Sequence, residues 1–189
     1  MSTPKKIFVI DVEATCWDND VKFGRGVQQY VSDIIEIGIT TVDLKERRIE
    51  ASDSILVIPT QSEISTFCTG LTTITPELIE KEGVSFHRAM DILDDDYKVG
   101  KNMWGSWGLY DYKILARQCE REHTRIPLNN LHLNIKAMFA WQFGFSMGLG
   151  KACNYLGIKF EGTAHRGVDD SKMIAKILLE LEQPFPPTN

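Results

Sequence analysis

KKIFVIDVEATCW, Lys5–Trp17, is the most informative stretch of this chain. An apolar run, Ile7–Ile10, passes directly into Asp11, Val12 and Glu13. In a strand alternate side chains share a face, so Ile7, Val9, Asp11 and Glu13 lie on one side and Phe8, Ile10 and Val12 on the other. Apolar residues on both sides predict a central strand covered on both faces. Two carboxylates then complete a face that core residues began. Side by side they repel unless a proton or a cation stands between them. A divalent metal at the end of the strand resolves that conflict. A strand running out into solvent is the plainer alternative, because D-x-E alone is a short pattern.

Outward from this strand, a polar, Gly-containing loop is expected over Asp18–Tyr30. DIIEIGITTVDL (Asp33–Leu44) and RIEASDSILVIP (Arg48–Pro59) read as strands joined by KERR, hence a hairpin. Short helices are expected around ISTFCTGL (Ile64–Leu71) and after Pro76, a favourable first helical residue. SFHRAMDILDDDY (Ser85–Tyr97) has helical spacing through Phe86, Met90 and Leu93. KNMWGSW (Lys101–Trp107) predicts a short strand, followed by a helix over Leu109–Glu122. NNLHLNI (Asn129–Ile135) predicts another strand, passing into KAMFAWQF, and GLGKACNYLG a short helix between glycines. The last helix is expected from near Asp169 to Leu181. Strands first, then helices alternating with strands, predict a mixed sheet with helices on its faces. The organisation expected is one domain over 5–183 and a Pro-rich tail over 184–189, which cannot continue the helix.

Helical phase places further carboxylates. Met173, Ile174, Ile177, Leu178 and Leu181 form the apolar stripe of the last helix, and three to four residues before it stands Asp170, facing the core in the first turn. Asp169 is rotated away and is a capping candidate. Ile114, Leu115 and Cys119 define the stripe of the earlier helix, which places Asp111 in the same relation. In an open α/β sheet ligands gather beyond the carboxyl ends of the strands. Asp11, Glu13, Asp111 and Asp170 can meet there, and without a cation that convergence would be prohibitive. Oxygen-only ligands favour a hard cation, Mg²⁺ or Mn²⁺. His165 lies in the loop just before Asp170; a neutral imidazole there could accept a proton from an attacking water, although a lone loop histidine is more often only a surface residue.

Composition bounds the alternatives. The chain has 189 residues, enough for a real core, and a net charge of −5, which argues against coating nucleic acid through a basic surface. No stretch approaches a membrane span, and MSTPKK leads into a strand without a signal-peptide pattern. Cys16, Cys68, Cys119 and Cys153 are widely spaced, as expected of free thiols in a reducing cytosol.

The motifs DVEATC, WGLYD and HRGVDDS, in this order, resemble those of the DEDDh 3′→5′ exonucleases of the ribonuclease H-like fold. IDVEATCW, DIIEIG, FCTGLTTIT and HRGVDDSKMIAKI are similar to segments of the ERI-like group, which trims RNA 3′ ends. The resemblance runs from about Ile7 to Leu181. It implies a five-stranded mixed sheet and the catalytic set Asp11, Glu13, Asp111, His165 and Asp170. Two Mg²⁺ or Mn²⁺ ions are implied, with Asp11 bridging them. Glu13 and Asp170 would hold the first and Asp111 the second, with His165 as general base. It further implies a substrate contact at Ala14 and Thr15, a free 3′ end as substrate with RNA favoured over DNA, and nucleoside 5′-monophosphates as products; the scarcity of basic surface to hold or open a duplex favours a single strand, and the free thiols a cytoplasmic location. Trp107 and Tyr110 in the second motif are both open as substrate contacts, and no accessory nucleic-acid-binding domain is expected within these residues.

Two rival readings exist. GFSMG (Gly144–Gly148) matches the G-x-S-x-G nucleophile elbow, with Ser146 as nucleophile, but an elbow needs a strand before it and IKAMFAWQF reads as helical. The second rival is a ribonuclease H-like scaffold kept as a binding module, whose mark would be loss of a site residue; all five are present. DDDY at Asp94 reads as a solvated helix end, and His87, His123 and His132 have no metal-ligand spacing.

Overall fold

The strand expected near the N-terminus forms over Lys6–Ala14 (β1) and is the middle strand of a five-stranded sheet. The computed structural model describes residues 5–18 and 31–181. The loop expected over 18–30, beyond its first residue, and the tail at 184–189 lie outside the described residues.

β2 (Ile34–Asp43) and β3 (Arg48–Leu56) form the expected antiparallel hairpin, and β2 pairs antiparallel with β1, Asp11 opposite Gly38 and Glu13 opposite Glu36. On the other side β4 (Met103–Ser106) and β5 (His132–Asn134) run parallel to β1, giving the order β3-β2-β1-β4-β5. β1 is therefore the boundary between the antiparallel and parallel halves.

The alternation in β1 assigns each face its helices. Phe8, Ile10 and Val12 pack with Phe86, Met90 and Leu93 and with Ile114, Leu115 and Cys119 of α4 (Tyr110–Arg121). Ile7 and Val9 pack on the opposite face with α5 (Ile135–Phe143), α6 (Leu149–Tyr155) and α7 (Gly167–Glu180), through Phe139, Ala152, Met173, Ile174 and Ile177. The two short helices before these, α1 (Thr66–Thr72) and α2 (Pro76–Glu82), cover a smaller cluster around Ile35, Leu56 and Cys68.

Two elements differ from expectation. The helix predicted over Ser85–Tyr97 is α3 (Phe86–Asp91) followed by a π-helical turn, Ile92–Asp96, in which Tyr97 N donates to Ile92 O. The widened turn carries Tyr97 back against Phe8, ring edge to face at 6.0 Å. Its acids sit at a solvated helix end, where Asp94 pairs with Arg125. α7 starts two residues before Asp169, so Asp169 is not its cap; its Oδ2 instead accepts from Thr163 N at 2.8 Å. The earlier start depends on a close crossing. A Cβ on Gly38 of β2 would stand 1.9 Å from the Gly167 carbonyl, so α7 begins in backbone contact with the sheet. Among the described residues no helix is long and apolar enough to cross a membrane.

Candidate active site

β1 ends beside its two acids. The ladder with β2 shifts register between Glu13 and Ala14, and the parallel ladder with β4 ends at Val9 and Gly105. Asp11 and Glu13 thus lie where the strand is paired on one edge only, both on the face covered by α7. The first turn of α7 brings the buried Asp170 to them: a carboxylate oxygen from each of Asp11, Glu13 and Asp170 lies within 4.8 Å of the others.

Asp111 stands outside that group of three but next to it. It is buried in the first turn of α4, on the opposite face, and its Oδ1 accepts from Val12 N at 3.1 Å. Val12 lies past the end of the β4 ladder, so Asp111 takes a backbone N–H that the sheet leaves over. Its charge is the first of those that raise the Asp11 carboxyl, after burial itself. Both helix acids thus lie on the core-facing phase of their helices, and Asp170, not Asp169, reaches Asp11 and Glu13.

The electrostatics are those of crowded carboxylates, relieved at Glu13 only in part by the Arg166 guanidinium. Burial, then Asp111, Asp170 and Glu13, hold the Asp11 carboxyl well above its ordinary range. Burial and Asp170 push Glu13 up to about 8. Burial raises Asp170 to about 7, against the opposing hydrogen bond from the His165 backbone. Asp111 rises to about 6 through burial, offset by the Val12 N–H. Such a set of oxygen donors, unable to ionise together at neutral pH, fits a hard divalent cation.

His165 is exposed, on the loop that enters α7, with a left-handed φ of 64°. Ala14 and Thr15 follow directly after Glu13. Thr15 is closed off from solvent: its N–H donates to Asp33 O at 2.8 Å and its hydroxyl accepts from Asp33 N at 2.9 Å. The Ala14 carbonyl accepts from the Cys68 thiol. The two candidate aromatics separate clearly. Trp107 packs edge-on against Phe139 and donates Nε1 to Met147 O at 3.2 Å, whereas Tyr110 has an exposed side chain, and its phenol is raised by partial desolvation, against Arg117, with Asp111 and Glu13 adding to the rise.

Several site residues escaped the sequence reading. Glu36 is fully buried on β2, opposite Glu13. Its Oε2 accepts from Arg166 Nε at 3.1 Å and Gly167 N at 2.7 Å, and its Oε1 from Arg166 Nη2 at 3.1 Å and Ser54 Oγ at 2.5 Å. Asp33, also fully buried, pairs with Arg121 and holds the backbone N–H groups of Thr60, Gln61 and Ser62. His132 lies next to Ser106: its Nε2 is 2.9 Å from Ser106 Oγ, whose hydroxyl donates to Gly108 O at 3.0 Å and helps to hold down the Asp111 carboxyl. A glutamate inside an isoleucine run was the one available signal for Glu36. The GFSMG segment connects α5 to α6 with no strand before it, so it is not a nucleophile elbow and Ser146 has no such role.

A family model described as an exonuclease, RNase_T, matches residues 8–178. The chain is 25% identical over 197 residues to the 3′-5′ exonuclease Snipper of Drosophila melanogaster, covering 93% of this chain and 68% of that protein. It is 27% identical over 191 residues to 3′-5′ exoribonuclease 1 of Rattus norvegicus, covering 94% of this chain and 53% of that one, so it spans about half the length of this relative. Among solved structures, the nuclease domain of 3′hExo, a DEDDh family member, bound to rAMP, superposes with a TM-score of 0.80 at 25% identity, over 95% of this chain and 92% of that domain.

Proposed function

The chain belongs to the exonuclease family, and on that premise we propose that it is a metal-dependent 3′→5′ exonuclease. It removes nucleoside 5′-monophosphates from the 3′ end of single-stranded nucleic acid, RNA in preference to DNA. The observation that carries this reading is the convergence of Asp11, Glu13 and Asp170 within 4.8 Å, with Asp111 adjoining. Two Mg²⁺ or Mn²⁺ ions would neutralise that cluster and stabilise the attacking and leaving oxygens of an in-line displacement.

Asp11, Glu13 and Asp170 would hold the one ion, and Asp111, with Asp11, would hold the other. His165 takes the proton from the attacking water; its exposure gives that proton a route to solvent. Tyr110 receives the terminal base, since Trp107 is committed to Phe139 and Met147. Ala14 supports the terminal nucleotide, and Thr15 acts only by holding the turn beneath it. The RNA preference is supported by the exoribonuclease of Rattus norvegicus and by the rAMP bound to the 3′hExo domain.

Matched 3′- and 5′-labelled RNA and DNA oligomers, single- and double-stranded, test the reading with Mg²⁺ or Mn²⁺. Stepwise shortening from a free 3′-hydroxyl with nucleoside 5′-monophosphate release is expected, fastest on single-stranded RNA. Cleavage of circular or 3′-blocked RNA at the same rate, or full turnover in excess chelator, would overturn it.

A further inference from the structure

Glu36 is a fifth carboxylate at the site, and the question is whether it is another ligand. It stands opposite Glu13 on the neighbouring strand, so by position alone it could join the cluster. Its hydrogen bonds exclude that. Each oxygen already carries two donors: Arg166 Nε and Gly167 N on Oε2, Arg166 Nη2 and Ser54 Oγ on Oε1. A carboxylate has about four lone-pair sites, so none is left for a cation.

The same bonds fix the segment that carries the general base. His165 precedes Arg166 and holds a φ of 64°, a left-handed conformation that a non-glycine residue keeps only when its surroundings impose it. Glu36 grips the next two residues, Arg166 by its side chain and Gly167 by its N–H. Asp170 closes the loop from the far end: its N–H donates to Arg166 O at 2.8 Å, and its carboxylate accepts from the His165 backbone. Gly167 meanwhile lies against the backbone of Gly38 and the Asp11 carbonyl, leaving no room for a Cβ without movement. His165 and Asp170 are thus set relative to Asp11 and Glu13 by one clamp.

We propose that the Glu36–Arg166 ion pair is a positioning device for the reaction, which orients His165 and the first turn of α7 on β1 while withholding Glu36 from the metal ligands. This rests on the exonuclease reading. A two-armed planar contact explains why arginine stands here: a lysine would supply the charge but not the paired N–H bonds that fix an orientation.

The test uses the whole chain as wild type, Arg166→Lys and the charge-removing double variant Glu36→Gln/Arg166→Met. Three quantities are measured: single-turnover rate and KM on a 3′-labelled single-stranded RNA, Mn²⁺ binding by calorimetry, and amide hydrogen exchange at Gly167–Asp170. The double variant is expected to keep its KM and to lose far less Mn²⁺ affinity than rate, because Asp11 and Glu13 remain and the Gly38–Gly167 crossing still seats α7. Its chemical step should fall roughly 10²-fold, the scale of a small misplacement of a catalytic group, while exchange at Gly167 quickens. Arg166→Lys, which keeps the charge, should show a smaller fall of the same kind. A wild-type chemical step in Arg166→Lys together with quickened exchange would overturn the proposal. So would Mn²⁺ affinity lost in step with the rate, because the effect would then run through the metal ligands and not through His165. Wild-type protein that cleaves nothing, with Gly167 exchange still responding to the variants, would sink the exonuclease reading and leave the clamp a purely structural one.

Discussion

In excess chelator the protein should lose stability as pH rises from 5 to 8.5. The acids of the site keep their protons in the fold and lose them in the unfolded chain, and each such difference lowers stability with increasing pH. For Glu13 the loss begins near its ordinary 4.5 and is complete at about 8. At ~1.4 kcal/mol per pKa unit this is ~5 kcal/mol before screening; solvent reaching the half-buried carboxylate reduces it to ~2–3 kcal/mol. Asp170, raised to about 7, and Asp111, raised to about 6, contribute with the same sign. His132 works the other way, because burial lowers its pKa and stability gained there rises with pH, but only below about 6.5. From pH 6.5 to 8.5 the carboxylates therefore act unopposed.

For a chain of this length ~2–3 kcal/mol corresponds to a fall in Tm of ~4–12 °C. Thermal melts followed by circular dichroism, in chelator and in saturating Mn²⁺, measure it. Mn²⁺ at a hundred times its Kd should restore ~2.7 kcal/mol and flatten the profile. Glu13→Gln should melt higher than the wild type at pH 8 in chelator, having lost the repulsion, and gain little from Mn²⁺. A chelated Tm that stays level or rises between pH 6.5 and 8.5 would refute the cluster electrostatics.

His165→Ala should slow the chemical step by roughly 10²–10⁴ with Mn²⁺ binding intact; loss of a bound ion by calorimetry would make His165 a ligand instead. Asp33→Ala removes the buried partner of Arg121 and the anchor of the Thr60–Ser62 turn, and should cost ~3–5 kcal/mol in urea unfolding; a change under ~1 kcal/mol would mean that water or Glu122 replaces it. Tyr110→Ala should weaken RNA binding by ~1–3 kcal/mol, the worth of one stacked base, with Tm unmoved, whereas Trp107→Ala should lower Tm; the reverse pattern would exchange their roles.

The four acids were legible because each has a local sign. Asp11 and Glu13 break the apolar pattern of a strand, and Asp111 and Asp170 fall on the core-facing phase of their helices. Their supports were not legible, because each is a pair between distant positions. Glu36 finds Arg166 130 residues later, and Asp33 finds Arg121 88 residues later. Local periodicity carries no information about such partners. Glu36 did show a charge inside a buried strand, which demands a counter-charge somewhere. What it could not show is which cation answers. The start of α7 was missed for the same reason: the N–H of Gly167 is satisfied by Glu36 across the fold rather than by a neighbouring cap residue.

The position of the site follows from the unequal edges of β1. Along its β2 edge the pairing continues to the end of the strand, and Thr15 N still donates to Asp33 O beyond it. Along its β4 edge the ladder ends at Val9, because β4 is only four residues long. The backbone groups beyond must be met by something other than a strand. Asp111 from α4 takes the Val12 N–H, and the Cys68 thiol from α1 meets the Ala14 carbonyl. Satisfying the uncovered edge thus draws the N-terminal turn of α4, and Asp111 with it, towards Asp11. On the other face, the glycine crossing at Gly38 draws in α7 and Asp170. A longer β4 would pair Val12 directly and leave Asp111 no backbone partner, and a side chain at Gly38 would lift α7 off the sheet. The short strand and the bare glycine are therefore what bring acids from opposite faces of one sheet to a common point.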